Sequence, residues 1–357
     1  AAPYKTLSII SNDTNIDLDG YSWDHTNYTE DVVKVTENGS YTGHLTDLAG
    51  NKGSCTAVVT NVTQANEPAL DEGMIPVYYD ENTETWKKAD ENNGNNNWYN
   101  YNDKKWANSV TVTNDTRSKY KSASIGTEIP MDDILTMQVW IPRYKYKVWN
   151  YNADGTKTSN PQEIEIVFEK ETAKTGEITC SDTISGTDGA KSESCKINNT
   201  ECTDSTCNNK YYTHPAFTFG EEELKGFWIG KFELTGTIDS ITTKPNLTSI
   251  TYQRLGNFPT NIMKMNDSGN IYGFSATTDT HMIKNMEWGA VAYLSHSKYG
   301  TCTDGTCKEV NINNSSGRYT GRSGGSPSAS SSTEGTYKYN QTKQTTTTMT
   351  GGTTITP

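Results

Sequence analysis

Residues 225–236 read KGFWIGKFELTG, and the rest of the chain is best read outward from them. Phe227, Ile229, Phe232 and Leu234 are apolar, punctuated by Gly226, Gly230 and Gly236. The two-residue alternation that gives a strand one buried face breaks at Gly230-Lys231, which predicts a buried strand carrying a bend or bulge. Its expected partner is residues 136–150, TMQVWIPRYKYKVWN, a second aromatic strand interrupted by Pro142. With the helix-like segment 280–299, these strands form the centre of a compact domain.

A chain of 357 residues suits two domains, or one with long insertions. Only 32% of it is apolar, mean hydropathy is −0.76, and there are 21 Tyr and 8 Trp, so rings must supply much of the core. Abundant Asn, Thr, Ser and Gly favour turns and strands over long helices, the composition of an extracellular β-rich protein. The net charge of −12, with no basic run, argues against nucleic acid and anionic membrane partners. The longest apolar run, residues 134–142, is too short to span a bilayer. Ala1-Ala2-Pro3 reads as a mature terminus left by cleavage after small residues.

Seven cysteines point to an oxidising compartment. Cys202 and Cys207 lie in CTDSTC, and Cys302 and Cys307 in CTDGTC, the same six-residue device used twice. A four-residue turn brings two Cα atoms within disulfide range. Cys180 and Cys195 flank a Gly/Ser/Asp loop and make a third expected pair. A metal reading needs Cys-x2-Cys spacing or accompanying histidines, and His214 is the only histidine near Cys207, so no metal site and no cofactor are expected. Cys55 is left over: free, or paired outside this chain.

Residues 1–64 read as the first unit, with strands near 4–10 and 31–35. A hairpin of residues 40–47 and 54–62 turns around LAGNKG. Asn15, Asp17, Asp19 and Gly20 match half of a calcium loop, but Thr26 stands where its bidentate Glu belongs, so a solvated turn is the better reading. Residues 65–73 read as a linker. Residues 74–79 and 85–88 bracket a hairpin, and WYNYNDKKWANSVTVT predicts another. Its Trp98, Tyr99, Tyr101 and Trp106 are core filling in the first reading and a platform for sugar rings in the second. Residues 129–136 open a short helix with Asp132 and Asp133 at its N-terminus. NADG after Tyr151 is a turn between residues 144–149 and 163–169, with Ile164, Ile166 and Phe168 inward and Glu163, Glu165 and Glu169 outward.

Residues 171–210 form a disulfide-rich insertion held by bridges rather than by a core. A helix runs from Asn257 towards Met265. The surest helix is capped by Asp279 or Thr280 and carries Met282, Ile283, Met286, Ala290, Val291 and Leu294 on one face. Residues 311–357 form a Ser/Gly- and Thr-rich tail with nine threonines in its last eighteen residues. This tail either pairs along a sheet edge, of its own chain or another, or is a disordered or glycosylated stalk. Eleven Asn-x-Ser/Thr sequons, among them Asn27, Asn38, Asn61 and Asn246, permit a glycoprotein without requiring one.

The run VTENGSYTGHLTDLAGNKGSCTAVVTNV resembles the last strands of bacterial immunoglobulin-like domains, which implies that residues 1–64 are an immunoglobulin-like β-sandwich. MQVWIPRYKYKVWN, FWIGKFELTG and HMIKNMEWGAVAYLS, in that order, look like the C-type-lectin-like fold of formylglycine-generating (sulfatase-modifying-factor-like) proteins and of the variable proteins of diversity-generating retroelements. GMIPVYY, WYNYNDKKWANSVTVT and IPMDDI also look like modules of phage tail and bacterial surface proteins. The resemblance implies a mainly β chain with an α+β second domain over residues 74–310, bearing one or two short helices. The family's C-terminal half, with its copper-binding cysteines and diversified surface, has no counterpart here, so neither oxidase activity nor a recognition surface carries over.

No GxSxG, HExxH, phosphate-binding loop or dinucleotide-binding pattern occurs, and the five histidines are scattered. Acidic neighbours such as Asp132-Asp133 and residues 221–223 read as caps or solvated loops rather than catalytic dyads. The expectation is therefore a non-enzymatic extracellular protein of adhesion or assembly. Its partners would be copies of itself, other surface proteins or glycans, and a subunit of a pilus-like extracellular filament fits well. A phage tail or receptor-binding protein is the rival, and a carbohydrate-active enzyme or remnant the third reading. The cysteine pattern makes a direct prediction. Alkylation of the denatured, unreduced chain should label Cys55 alone, and mass spectrometry should find all seven labelled only after reduction.

Overall fold

The computed structural model describes residues 5–24, 29–35, 39–59, 65–93, 97–147, 163–185, 190–202, 206–207, 209–245, 247–303 and 306–307. Beyond these it describes the strand pairs Asn314–Ser315 with Arg318–Tyr319 and Thr347–Thr348 with Thr354–Ile355. The expected NADG turn, most of the tail and the four named sequons lie outside the described residues.

The chain is mainly β. At its start, β1 (Lys5–Ser8) pairs with β3 (Val32–Val35), while β2 (Ser22–Trp23), β4 (Gly39–Thr46) and β5 (Lys52–Val59) form a second antiparallel sheet. The β4–β5 hairpin is the one read from the sequence. Its turn is closed by Asp47, whose carboxylate accepts from the amides of Ala49 (2.9 Å) and Asn51 (2.7 Å), and Gly50 supplies a φ of +86°. Ile9, Trp23, Val33, Val35 and Val59 make the core between the sheets. The half-calcium loop is a solvated turn held by its own carboxylates, with Asn15 N donating to Asp13 (2.8 Å) and Asp19 N to Asp17 (3.1 Å).

The centre of the molecule is a five-stranded antiparallel sheet. Its strands are β6 (Ile75–Asp80), β7 (Thr85–Lys88), β8 (Asn108–Val112) and β9 (Ile134–Pro142), with α1 (Asn114–Ser122) between β8 and β9. After Arg143 the chain continues as β10 (Tyr144–Lys147) and β11 (Ile166–Phe168), which pair with each other. It then makes an excursion of three strands, β12 (Thr179–Ser185), β13 (Ala190–Ile197) and β14 (Thr200–Glu201), that pair only among themselves. It returns through β15 (Tyr211–Thr213), which pairs with β10, and the small hairpin β16 (Thr218–Phe219)–β17 (Glu222–Glu223). β18 (Gly226–Gly230) then completes the sheet in the order β18-β9-β8-β6-β7. The pairing of β18 with β9, Trp228 opposite Trp140, is the partnership expected from the sequence. β18 is, however, a half-buried edge strand; β9 beside it is interior and mostly buried, and the central strand is the fully buried β8.

Two cores flank the sheet. One is aliphatic, built from Ile75, Val77, Val110, Val112, Ile134 and Met137 with Trp86 and Tyr120. The other is aromatic, with Trp98, Tyr99, Tyr101, Trp140, Tyr144, Phe168, Phe217 and Tyr299, and Ala290 and Leu294 of the last helix reach into it. That helix, the third, spans Asn285–Ser295; before it comes the short α2 (Asn257–Ile262). We call the last one α3.

Several elements depart from expectation. Residues 129–136 form no helix: Ile129 N bonds the Trp86 carbonyl (2.9 Å), and the chain turns at 131–133 directly into β9. α1 was not anticipated, because NDTRSKYKS is polar apart from Tyr120, its one buried residue. α3 starts later than Thr280, whose hydroxyl is drawn to the Ile262 carbonyl (2.8 Å). Glu287 instead caps the helix by accepting from Lys284 N (2.8 Å), which leaves Met282, Ile283 and Met286 exposed. Glu169 turns inward at the end of β11, against the parity that places Glu165 outside.

The aromatic core also holds His214, ringed by Tyr144 (5.3 Å between centroids), Tyr146, Phe217 and Tyr293. Its Nδ1 accepts from Ala216 N (3.2 Å), which assigns the proton to Nε2, and burial lowers its pKa to about 3. The unfolded chain therefore binds a proton below pH 6.5 that the folded chain refuses down to about pH 3. The His214 contribution to stability should fall by about 1.4 kcal/mol per pH unit on acidification through that window and be constant above it, so it is read as the difference from a His214 variant. Urea titrations at a series of pH values should show this slope, and His214→Phe should flatten it.

Candidate functional site

Arg143 lies between β9 and β10 with no solvent exposure. Its Nε donates to Glu169 Oε2 (3.0 Å) and the Ala173 carbonyl (3.1 Å). Its Nη1 donates to Glu223 Oε2 (2.9 Å) and to the carbonyls of Phe217 (3.3 Å) and Leu224 (3.2 Å). Glu169, equally buried, uses Oε1 to accept from Thr175 N (2.7 Å), Thr175 Oγ1 (2.8 Å) and Thr213 Oγ1 (2.8 Å). The Glu223 carboxyl is held below its usual range: burial alone would raise it, but hydrogen bonds from Lys174, Arg143 and Thr218 outweigh that. Nε and Nη1 are met by carboxylates and backbone carbonyls, whereas the buried Nη2 has no partner among the described residues; the cluster is a structural node. Beside it, Asn66 donates to the carbonyls of Glu171 (2.7 Å) and Lys225 (2.9 Å). The stretch expected to be a free linker is thereby pinned to β18.

Trp98, Tyr99 and Tyr101 are buried in the aromatic core, and Trp106 is partly buried, with its indole N–H on the Tyr299 carbonyl (3.3 Å). They fill space between the sheet and α3, with Trp98, Tyr99 and Tyr101 buried and only Trp106 partly exposed. The cysteines pair as Cys180–Cys195, Cys202–Cys207 and Cys302–Cys307, with Cys55 free and exposed. His296 lies beside Cys302 and Cys307, all ligand atoms within 4.8 Å, but both sulfurs are spent on the disulfide and one imidazole remains. His281 bridges Glu287 (3.0 Å) and Asp279 (2.9 Å), and the Glu287 hydrogen bond, against desolvation, raises its pKa. It locks the start of α3.

Two shallow clefts, of about 270 and 240 Å³, open on the surface. In the larger, Lys88 is committed to the carbonyls of Lys121 (2.5 Å) and Ala123 (2.8 Å), and Lys121 to that of Glu72. Asp71, on its wall, accepts from Ser275 N (2.9 Å) and the Thr278 hydroxyl.

The two edges of the central sheet differ. β7 is covered: Lys88 N donates to the Thr127 carbonyl (2.8 Å), and Ile129 N to that of Trp86 (2.9 Å). At β18, Arg143 N donates to Lys225 O and Lys231 N to Met137 O, both at 2.9 Å. Residues 225, 227, 229 and 231 therefore turn their backbone groups to β9, and Gly226, Trp228 and Gly230 turn theirs outward. Among the described residues, no partner takes these three N–H groups or their carbonyls. Trp228 keeps its side chain on the molecule, bonding the Ala69 carbonyl (2.6 Å) and stacking near Trp98, while its backbone faces away. The strand carries no proline, no bulge and no charge between Gly226 and Gly230, the devices by which exposed edges are usually blunted.

Comparison of the chain with protein-family models, curated proteins and solved structures found no match. The Arg143 node predicts that Arg143→Ala, which leaves the buried Glu169 without its countercharge, lowers unfolding free energy by about 3–5 kcal/mol in urea titrations. The paired replacement Arg143→Met with Glu169→Leu should cost clearly less, because it leaves one fewer charge unpaired.

Proposed function

We propose that this chain is a non-enzymatic extracellular protein of assembly, a subunit of a surface filament. In this reading an immunoglobulin-like module precedes a C-type-lectin-like domain. The open edge of β18 carries the proposal: three outward N–H groups and three carbonyls present a template for another strand on an otherwise closed sheet. Three disulfides suit an oxidising environment outside the cell, and none of the described helices is long and apolar enough to cross a membrane. The ionisable groups that burial gathers, at Arg143 and around His281, serve packing and capping. Sedimentation and electron microscopy of the purified full chain test the reading. Concentration-dependent growth into regular fibres is expected, and a chain that stays monomeric at high concentration overturns it.

A further inference from the structure

We infer that the sixth strand of the central sheet is the Thr-rich C-terminal segment of a second copy of this chain, added along the outer edge of β18; this rests on the assembly reading above. Residues 226–230 read GFWIG, so the edge offers one hydrogen-bonding position at each glycine and one at Trp228. An incoming antiparallel strand of about five residues satisfies all three.

The edge carries no charged side chain from Gly226 to Gly230 and suits a neutral, β-prone strand. Residues 344–357, QTTTTMTGGTTITP, carry no charged side chain and eight threonines, with Ile355 the one β-branched aliphatic. Thr347–Thr348 pair with Thr354–Ile355, and among the described residues nothing pairs with the outer edge of β18. The assembly reading assigns the added strand to a neighbouring copy. The 36 residues 308–343, which follow Cys307, span on the order of 100 Å when extended, enough to reach it.

The glycines allow a selective test. A Cβ on Gly230 would have nothing nearer than the Phe232 carbonyl and Thr243 Cγ2, both at 3.5 Å, and its N–H takes no part in the ladder with β9. Gly230→Pro therefore removes an outward donor and places a ring in the path of the incoming strand while sparing β9. A chain ending at residue 343 removes the donor strand and touches none of the sheet. Assembly of the full chain should be followed by sedimentation, and exchange of the Trp228 and Gly230 amides by hydrogen–deuterium exchange. In the assembled chain these amides should exchange about tenfold or more slowly than in the dilute chain. The shortened chain should lose that protection at both amides and Gly230→Pro at Trp228, each with loss of assembly, and a peptide of residues 344–357 should restore protection to the shortened chain. Assembly that persists in both variants, or edge amides that exchange equally fast before and after it, overturns the inference and leaves the assembly reading standing. Protection that survives dilution to monomer assigns the strand to the same copy and overturns it as well. A chain that never assembles overturns both.

Discussion

A guanidinium that proteins do not deprotonate sits in the dry interior of this molecule, and much of the surrounding architecture answers to it. Arg143 follows the proline that ends β9, so its position is set by the central sheet. Removing such a charge from water costs several kcal/mol unless its donors are met. The acceptors come from segments far apart in sequence: Glu169 after β11, the Ala173 carbonyl, the end of the Pro215–Phe217 turn, and Glu223 and Leu224 leading into β18. Each must approach from its own direction. The node thereby joins the main sheet to the smaller β10-centred one and fixes the angle at which β18 enters.

The second constraint is the scarcity of aliphatic residues. A core built from rings carries polar atoms into the interior, and these need partners. Trp98 donates to the Asn108 carbonyl (2.7 Å), Trp140 to that of Asn66 (3.2 Å), Tyr144 to that of Ala290 (2.8 Å) and Tyr272 to that of Ile241 (2.7 Å). Each bond ties a side chain of one element to the backbone of another, so the aromatic core is directional where an aliphatic one would be only dense. The same bonds draw these four rings inward.

These constraints together explain the unequal sheet edges. The strand leading out of the Arg143 node must lie beside β9, and the linker pinned by Asn66 covers its side-chain face at Trp228. No chain segment among those described is left to run along its backbone edge, whereas residues 127–129 return beside β7. An unpaired, uncharged edge is a hazard in a monomer and an asset in a polymer. That contrast is the physical basis for reading the molecule as a building unit.

Local patterns in the sequence determined a good deal. Alternation and aromatic content marked β9 and β18 as partners, the Asn/Gly-rich LAGNKG marked the β4–β5 turn, and the repeated CTDxTC device marked two disulfides, since each depends on residues near one another in the chain. What the tertiary structure decided depends on long-range contacts. Glu169 reads as an outward carboxylate until Arg143 is beside it, and Thr280 reads as a helix cap until Ile262 takes its hydroxyl. Trp98 and Tyr101 read first as core and second as ligand platform, and the sheet and α3 close over them. Which backbone groups of GFWIG face outward is likewise invisible in the residues themselves, because a strand's open side is defined only by the neighbour it has already paired with.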